Sequence, residues 1–139
     1  MTTQLKKILL VEDDEIDIMA IERAFKKNKI NSTLYIARNG QEAMQLLKGE
    51  NASKILPQVI LLDINMPRMG GIAFLEKLRA DEELKAISVV IVTTSSEESD
   101  KVAAYNLNVA GYIVKPLSFE TVMNTIEVLN EYWDLCEQL

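Results

Sequence analysis

Val59-Ile60-Leu61-Leu62-Asp63-Ile64-Asn65-Met66-Pro67 is the stretch that decides the fold. Its leading residues are apolar without alternation, begin just after Pro57 and stop at a carboxylate. An uninterrupted apolar run of this kind suits a strand buried on both faces of a parallel sheet. Asp63 then stands at the C-terminal end of that strand, and Met66-Pro67 prevents a simple continuation of regular structure. An ionised carboxylate there has to be solvated, paired or bound to a cation. A lone Asp after a strand is usually no more than a helix cap. Three other strand ends with matching groups change that reading.

Outward from this run, the chain alternates between strands and helices. Ile8 to Val11 reads as a buried strand ended by Glu12-Asp13-Asp14. Glu15 to about Asn28 reads as a helix with Ile18, Ile21 and Phe25 at helical spacing. Acids favour a helix N-terminus, but one would serve, and three stand in a row. Thr33 to Ala37 is a short β-branched and aromatic strand, expected at a sheet edge. Asn39 and Glu42 form a capping box for a second helix with Ala43, Leu46 and Leu47 on its apolar face. Gly49 to Leu56 reads as a polar loop.

Beyond the central strand, Gly70-Gly71 allows a turn into a third helix carrying Phe74, Leu75 and Leu78. Glu82 to Ala86 reads as a stray helical turn, and Ile87 to Val92 as a fourth strand ending in Thr93-Thr94-Ser95-Ser96. Glu97 to about Leu107 is a fourth helix with Val102 and Tyr105 as its apolar residues. Tyr112-Ile113-Val114 is a fifth strand ending in Lys115-Pro116. The last helix starts at Ser118, a plausible N-cap, and runs almost to the C-terminus. Five β-α units with short loops give an α/β fold: a doubly wound, five-stranded parallel sheet with helices on both faces.

Composition narrows the function. The 139 residues suffice for one domain with a proper core. A net charge of -6 argues against nucleic acid or anionic membrane as the main partner. No apolar run is long enough for a signal peptide or a bilayer span, so a cytoplasmic protein is expected. The chain has no His, which excludes Ser/His/Asp triads, His-built zinc sites and a phosphohistidine donor role. Its one cysteine, Cys136, cannot form an intrachain disulfide.

In open doubly wound sheets the functional crevice lies at the carboxyl ends of the strands. Those ends offer Glu12 and Asp13, Asp63, Thr93 and Lys115. Carboxylates brought close together cannot all stay ionised without a cation. Hard oxygen ligands suit Mg²⁺, which prefers a few carboxylates together with waters and phosphate oxygens. A hydroxyl and an ammonium facing the same point complete a site for a phosphoryl group.

Val11-Glu12-Asp13-Asp14, Leu62-Asp63-Ile64-Asn65-Met66-Pro67, Gly71, Val92-Thr93-Thr94-Ser95 and Gly111-Tyr112-Ile113-Val114-Lys115-Pro116 resemble the motifs of a response-regulator receiver domain of two-component signalling. The resemblance covers residues 6 to about 130, and the chain is expected to be a single receiver domain over 1–139. It implies a flavodoxin-like strand order 2-1-3-4-5, with Asp63 as phosphoacceptor and Asp13 as a direct Mg²⁺ ligand. Glu12 would act through water, Asn65 would add its main-chain carbonyl, and Lys115-Pro116 would be a cis bond. Many relatives have Asp at the position of Glu12. Asp14 falls outside the matched pair and is expected to cap the first helix.

The chemistry implied is transfer from a kinase phosphohistidine to Asp63, with Lys115 and Thr93 meeting phosphoryl oxygens. Tyr112 would then turn inward as a switch and reshape the face made by the fourth helix, fifth strand and fifth helix. An aspartyl-nucleophile phosphatase of the haloacid dehalogenase type is a poor rival. It would need its nucleophile after the first strand and a second Asp two residues on, where Asn65 stands. A flavin carrier would need a Gly- and hydroxyl-rich loop where three acids occur. A non-phosphorylated scaffold would lack Asp63, Thr93 or Lys115.

No effector domain is expected after the last helix, so output should pass by protein contact. The Thr93-Thr94-Ser95 run, the Tyr105 to Tyr112 segment and the aromatic C-terminus also resemble the small regulators paired with bacterial and cyanobacterial phytochromes. The expected partner is a sensor histidine kinase, with a phytochrome as a candidate. On the last helix, Phe119, Val122, Ile126, Leu129, Trp133 and Cys136 should face the core. Val128, Tyr132, Leu135 and Leu139 form a second apolar stripe, expected with the edge of Trp133 to make a homodimer interface.

Overall fold

The structure, a computed structural model, describes residues 7–27, 33–49, 54–66, 70–115 and 119–135, with the side chains of 119, 122, 123, 126, 130, 133 and 134 excepted. The elements run β1 (Lys7–Val11), α1 (Glu15–Lys27), β2 (Thr33–Ala37), α2 (Gly40–Lys48), β3 (Val59–Leu62), α3 (Gly71–Ala80), β4 (Ser88–Thr93), α4 (Glu98–Asn106), β5 (Gly111–Val114) and α5 (Phe119–Leu135). The strands form one parallel sheet in the order β2-β1-β3-β4-β5, so the expected topology holds and β2 is indeed an edge.

Alternation along the inner strands divides the core in two. Leu9, Val11, Ile60, Leu62, Val89 and Ile91 face α2, α3 and α4, packing against Ala43, Leu47, Phe74, Leu75, Leu78 and Ala104. Ile8, Leu10, Val59, Leu61, Val90 and Val92 face the other way, onto Ile18, Ile21, Ala24 and Phe25 of α1, with Leu129 of α5 at the margin. All four β3 residues are buried, as the apolar run requires. Phe74 is wholly enclosed, and truncating such a side chain costs about 3–5 kcal/mol.

Local signals act where the sequence placed them. Asp14 caps α1, its Oδ1 accepting from the Ile16 N–H at 2.9 Å. Asn39 accepts from the Glu42 N–H at 2.9 Å, and the Glu42 carboxylate reaches back to the Arg38 N–H rather than to that of Asn39. Gly49 ends α2 at φ 71°, the left-handed conformation that favours glycine.

The loop before β3 departs from its expectation, and α4 presents a face that its larger apolar residues do not mark. Within the supposed polar loop, Ile55 is buried and its N–H donates to the Leu46 carbonyl, tying the segment onto α2. On α4, Val102 and Tyr105 are half exposed, and the residue that packs inward is Ala104. Two positions along a helix are about 200° apart, so turning Ala104 to the sheet turns Val102 out. Arg79 was not anticipated at all: its guanidinium donates to the carbonyls of Leu107, Lys85, Ile87 and Asn108 at 2.7, 2.8, 2.7 and 3.1 Å. Burial lowers its pKa.

Candidate functional site

The strand ends converge because ladder bonding continues one residue past each strand. Glu12 N–H donates to the Ala37 carbonyl, Asp63 N–H to Val11 and Lys115 N–H to Thr93. These bonds fix the backbones that carry the site. After Asp63 the chain turns tightly: its Oδ1 accepts from the Asn65 N–H at 2.9 Å. The N-terminus of α3 lies directly beneath this turn. A Cβ on Gly71 would meet Ile64 Cα at 2.3 Å and the Asp63 carbonyl oxygen at 2.6 Å, so only glycine permits that approach.

Lys115 is the hub. Its side chain is 6% exposed, and Nζ lies 2.5 Å from Glu12 Oε1, 2.6 Å from Asp17 Oδ2 and 3.4 Å from Asp63 Oδ2. Burial would pull its pKa down, but the hydrogen bonds to Asp17 and Glu12 and the charge of Asp63 outweigh that and push it up. Glu12 is almost wholly enclosed. Burial is the main cause that pushes its carboxyl up to about 7, opposed by the Lys115 hydrogen bond and reinforced by the charge of Asp63.

Oxygens of Glu12, Asp13 and Asp63 all come within 4.8 Å of one another. Oxygens across a Mg²⁺ at ~2.1 Å would stand about 4.2 Å apart, so the cluster is close to the size one small ion needs. The donors are all carboxylate oxygens, the hard set that Mg²⁺ and Mn²⁺ prefer over softer metals. The residues fit a divalent cation.

Thr93 is fully buried at the end of β4, and its Oγ1 accepts from the Ser95 N–H at 3.3 Å. The Asn65 carboxamide turns to Thr94, donating to its Oγ1 at 3.2 Å. Tyr112 is half-buried: its hydroxyl donates to the Ser95 carbonyl at 3.0 Å and its ring lies 6.5 Å from that of Tyr105. Burial raises its phenol pKa. Ser95 Oγ in turn donates to Asp100 at 2.5 Å, pinning the loop to α4.

Thus Glu12 and Asp63 meet Asp13 on one side and Lys115 on the other, with Thr93 at the neighbouring strand end. Asp17 was missed, although it sits one helical turn after Asp13 and beside inward-facing Ile18. On α5, Val128, Tyr132 and Leu135 are exposed at 62%, 58% and 85%. The Trp133 side chain, Leu139, Cys136 and the bond before Pro116 lie outside the described residues, as does the Ser118 cap.

Strand order and site together define the receiver class of two-component signalling. The chain belongs to the response regulator receiver domain family, whose model matches residues 8–127. It is similar to Rcp1, a response regulator of Synechocystis, with 35% identity over 92% of this chain and 88% of the relative. It is 39% identical to FilR2 of Methanothrix harundinacea, a probable methanogenesis regulatory protein, over 91% of this chain and 82% of that one. Among solved structures, the phosphorylated cyanobacterial phytochrome response regulator RcpA superposes with a TM-score of 0.82 at 35% identity, covering 93% of this chain and 94% of its own. The Mn²⁺-bound form of Rcp1 gives 0.82 at 33% identity, covering 96% and 98%. Receiver domains bind a divalent metal and take phosphoryl groups from histidine kinases. Among the described residues, no helix is long and apolar enough to cross a membrane.

Proposed function

We propose that this chain is a single-domain response regulator that accepts a phosphoryl group on Asp63 and passes the signal by protein contact. The observation that carries the reading is the convergence of Lys115 with Glu12 and Asp63, beside a three-carboxylate cluster and the buried Thr93. Glu12, Asp13 and Asp63, with the Asn65 main-chain carbonyl, would hold Mg²⁺, Glu12 acting through water. Bound there, the ion would supply positive charge against the equatorial oxygens.

An Asp63 carboxylate oxygen attacks the phosphorus of a kinase phosphohistidine. The phosphorus–nitrogen bond breaks, and the imidazole nitrogen keeps its electron pair. Lys115 pairs with one phosphoryl oxygen, and the Thr93 hydroxyl donates to another. Thr93 and Ser95 lie on one loop, and Tyr112 is bonded to that loop at the Ser95 carbonyl, so a pull on Thr93 disturbs the bond holding Tyr112. Tyr112 then leaves its half-buried position for the interior, reshaping the α4–β5–α5 face.

A sensor histidine kinase is the donor. The likeness to RcpA supports a phytochrome as that sensor. The exposed Val128, Tyr132 and Leu135 support a homodimer through α5, joined by Trp133 and Leu139. The chain acts as a cytoplasmic phosphoacceptor, not as an enzyme with turnover on an external substrate.

Asp63→Asn tests the core of this reading. The wild type should incorporate one phosphoryl group from phosphohistidine or acetyl phosphate only when Mg²⁺ is present, and the variant should incorporate none. Labelling of the variant to the wild-type level would overturn the assignment.

A further inference from the structure

We propose that Asp17 is a positioning residue: it holds the Lys115 ammonium aside so that a divalent cation can occupy the adjacent carboxylates. The proposal rests on the Mg²⁺ reading above and extends it to a residue outside the ligand set.

A lysine ammonium has three donors. In this structure two are committed at short range, to Glu12 and Asp17, while Asp63 stands at 3.4 Å. Glu12 and Asp63 also belong to the cluster that fits a cation. When an ion enters, those carboxylates turn their charge to it, and a buried ammonium is left beside a doubly charged neighbour. A buried charge stripped of its partner is costly. Among the described residues, Asp17 is the carboxylate contacting Lys115 that lies outside the cluster, and it is partly open to solvent, with 28% of its side chain exposed. It therefore remains as counter-charge while Glu12 and Asp63 serve the ion. Without it, Lys115 must keep competing for Glu12 and Asp63, and the cation must displace it.

An acid in the first turn of a helix has a simpler explanation in the favourable field of the N-terminus. That explanation does not involve Lys115, and the difference can be measured. Mg²⁺ dissociation constants would be obtained from amide chemical shifts of residues 63–65 for the wild type, Asp17→Asn, Lys115→Ala and the double variant. The loss of a charge-assisted hydrogen bond at a buried ammonium sets the scale. Asp17→Asn alone should weaken Mg²⁺ binding about tenfold. Lys115→Ala should bind as tightly as wild type or more so. In the Lys115→Ala background, Asp17→Asn should change affinity less than about twofold, the residue of a through-space charge effect.

Equal losses in both backgrounds would overturn the proposal and leave Asp17 a distant charge. So would unchanged or tighter binding in Asp17→Asn. A wild type that takes up no Mg²⁺ at residues 63–65 would overturn the metal reading itself, which separates the two failures. Asp17→Ser keeps a small polar group in the first turn and repeats the cycle should the Asn variant fold poorly.

Discussion

Stripped of divalent cations, the protein should lose stability as pH rises from about 5 to about 8, because Glu12 keeps its proton longer in the folded state than in the unfolded chain. Its carboxyl is pushed from the ordinary 4.5 up to about 7, mainly by burial, with the Lys115 hydrogen bond working against the shift. Below the unfolded value Glu12 is protonated in both states and the folded protein has its full share of stability. Between 4.5 and 7 the unfolded chain has released a proton that the folded one retains, so each rise in pH favours unfolding. Above the folded value both states are ionised and the loss is complete. At about 1.4 kcal/mol per pH unit, the loss from Glu12 between about pH 5 and about pH 8 is about 2–3 kcal/mol. Lys115, pushed above the ordinary lysine value, is protonated in both states throughout and contributes no slope. Urea unfolding in chelator near pH 5 and near pH 8 measures the difference, and Glu12→Gln should remove that component. Saturating Mg²⁺ should restore stability near pH 8 and do little near pH 5, since the ion needs ionised carboxylates. A wild type as stable near pH 8 as near pH 5, or a Gln variant with the same decline, would refute the reasoning.

Arg79→Ala removes four hydrogen bonds to carbonyls and should cost about 2–4 kcal/mol in urea unfolding. Lysine should recover less than half, since one ammonium cannot reproduce the guanidinium fork. Gly71→Ala should cost about 2–4 kcal/mol and slow phosphoryl uptake from acetyl phosphate, because its methyl group would displace the Asp63 carbonyl. Gly70→Ala is the control, with no neighbour among the described residues nearer than 3.7 Å, and should cost less than about 1 kcal/mol. For the α5 interface, sedimentation at tens of micromolar, about where a weak interface shows, should find wild-type dimers and Val128→Glu/Leu135→Glu monomers. Wild-type monomers, phosphorylated or not, would sink the dimer.

The sheet was legible because β3 has no polar residue to make its burial ambiguous, and because the acids, Thr93 and Lys115 each follow an apolar run. Position alone told where those groups must meet. Helix faces were harder to read. Val102 and Tyr105 look like the apolar side of α4, yet the small Ala104 packs inward and turns them to the rim. Hydrophobic spacing does not show which face a short helix presents when its inward residue is an alanine. Asp17 and Arg79 escaped for a different reason. An acid in a helix's first turn already has an explanation, and a guanidinium that bonds to carbonyls leaves no partner residue type to search for. Ile55 is a single anchoring side chain in a stretch too short and irregular to show any periodicity.

The ion pair between Lys115 and Glu12 closes a loop of 103 residues. Closing so long a loop is slow and entropically unfavourable until the intervening strands are in place. The pocket takes its groups from the ends of β1, β3 and β5, so it is complete only once those strands share one sheet. Whatever binds at it therefore binds to the finished native state and raises the free energy of every route out of it. A ligand of this pocket would act as a lock on the whole domain. Its occupancy should slow hydrogen exchange in β2 and β5, far apart in the sheet, wherever their amides exchange by global opening.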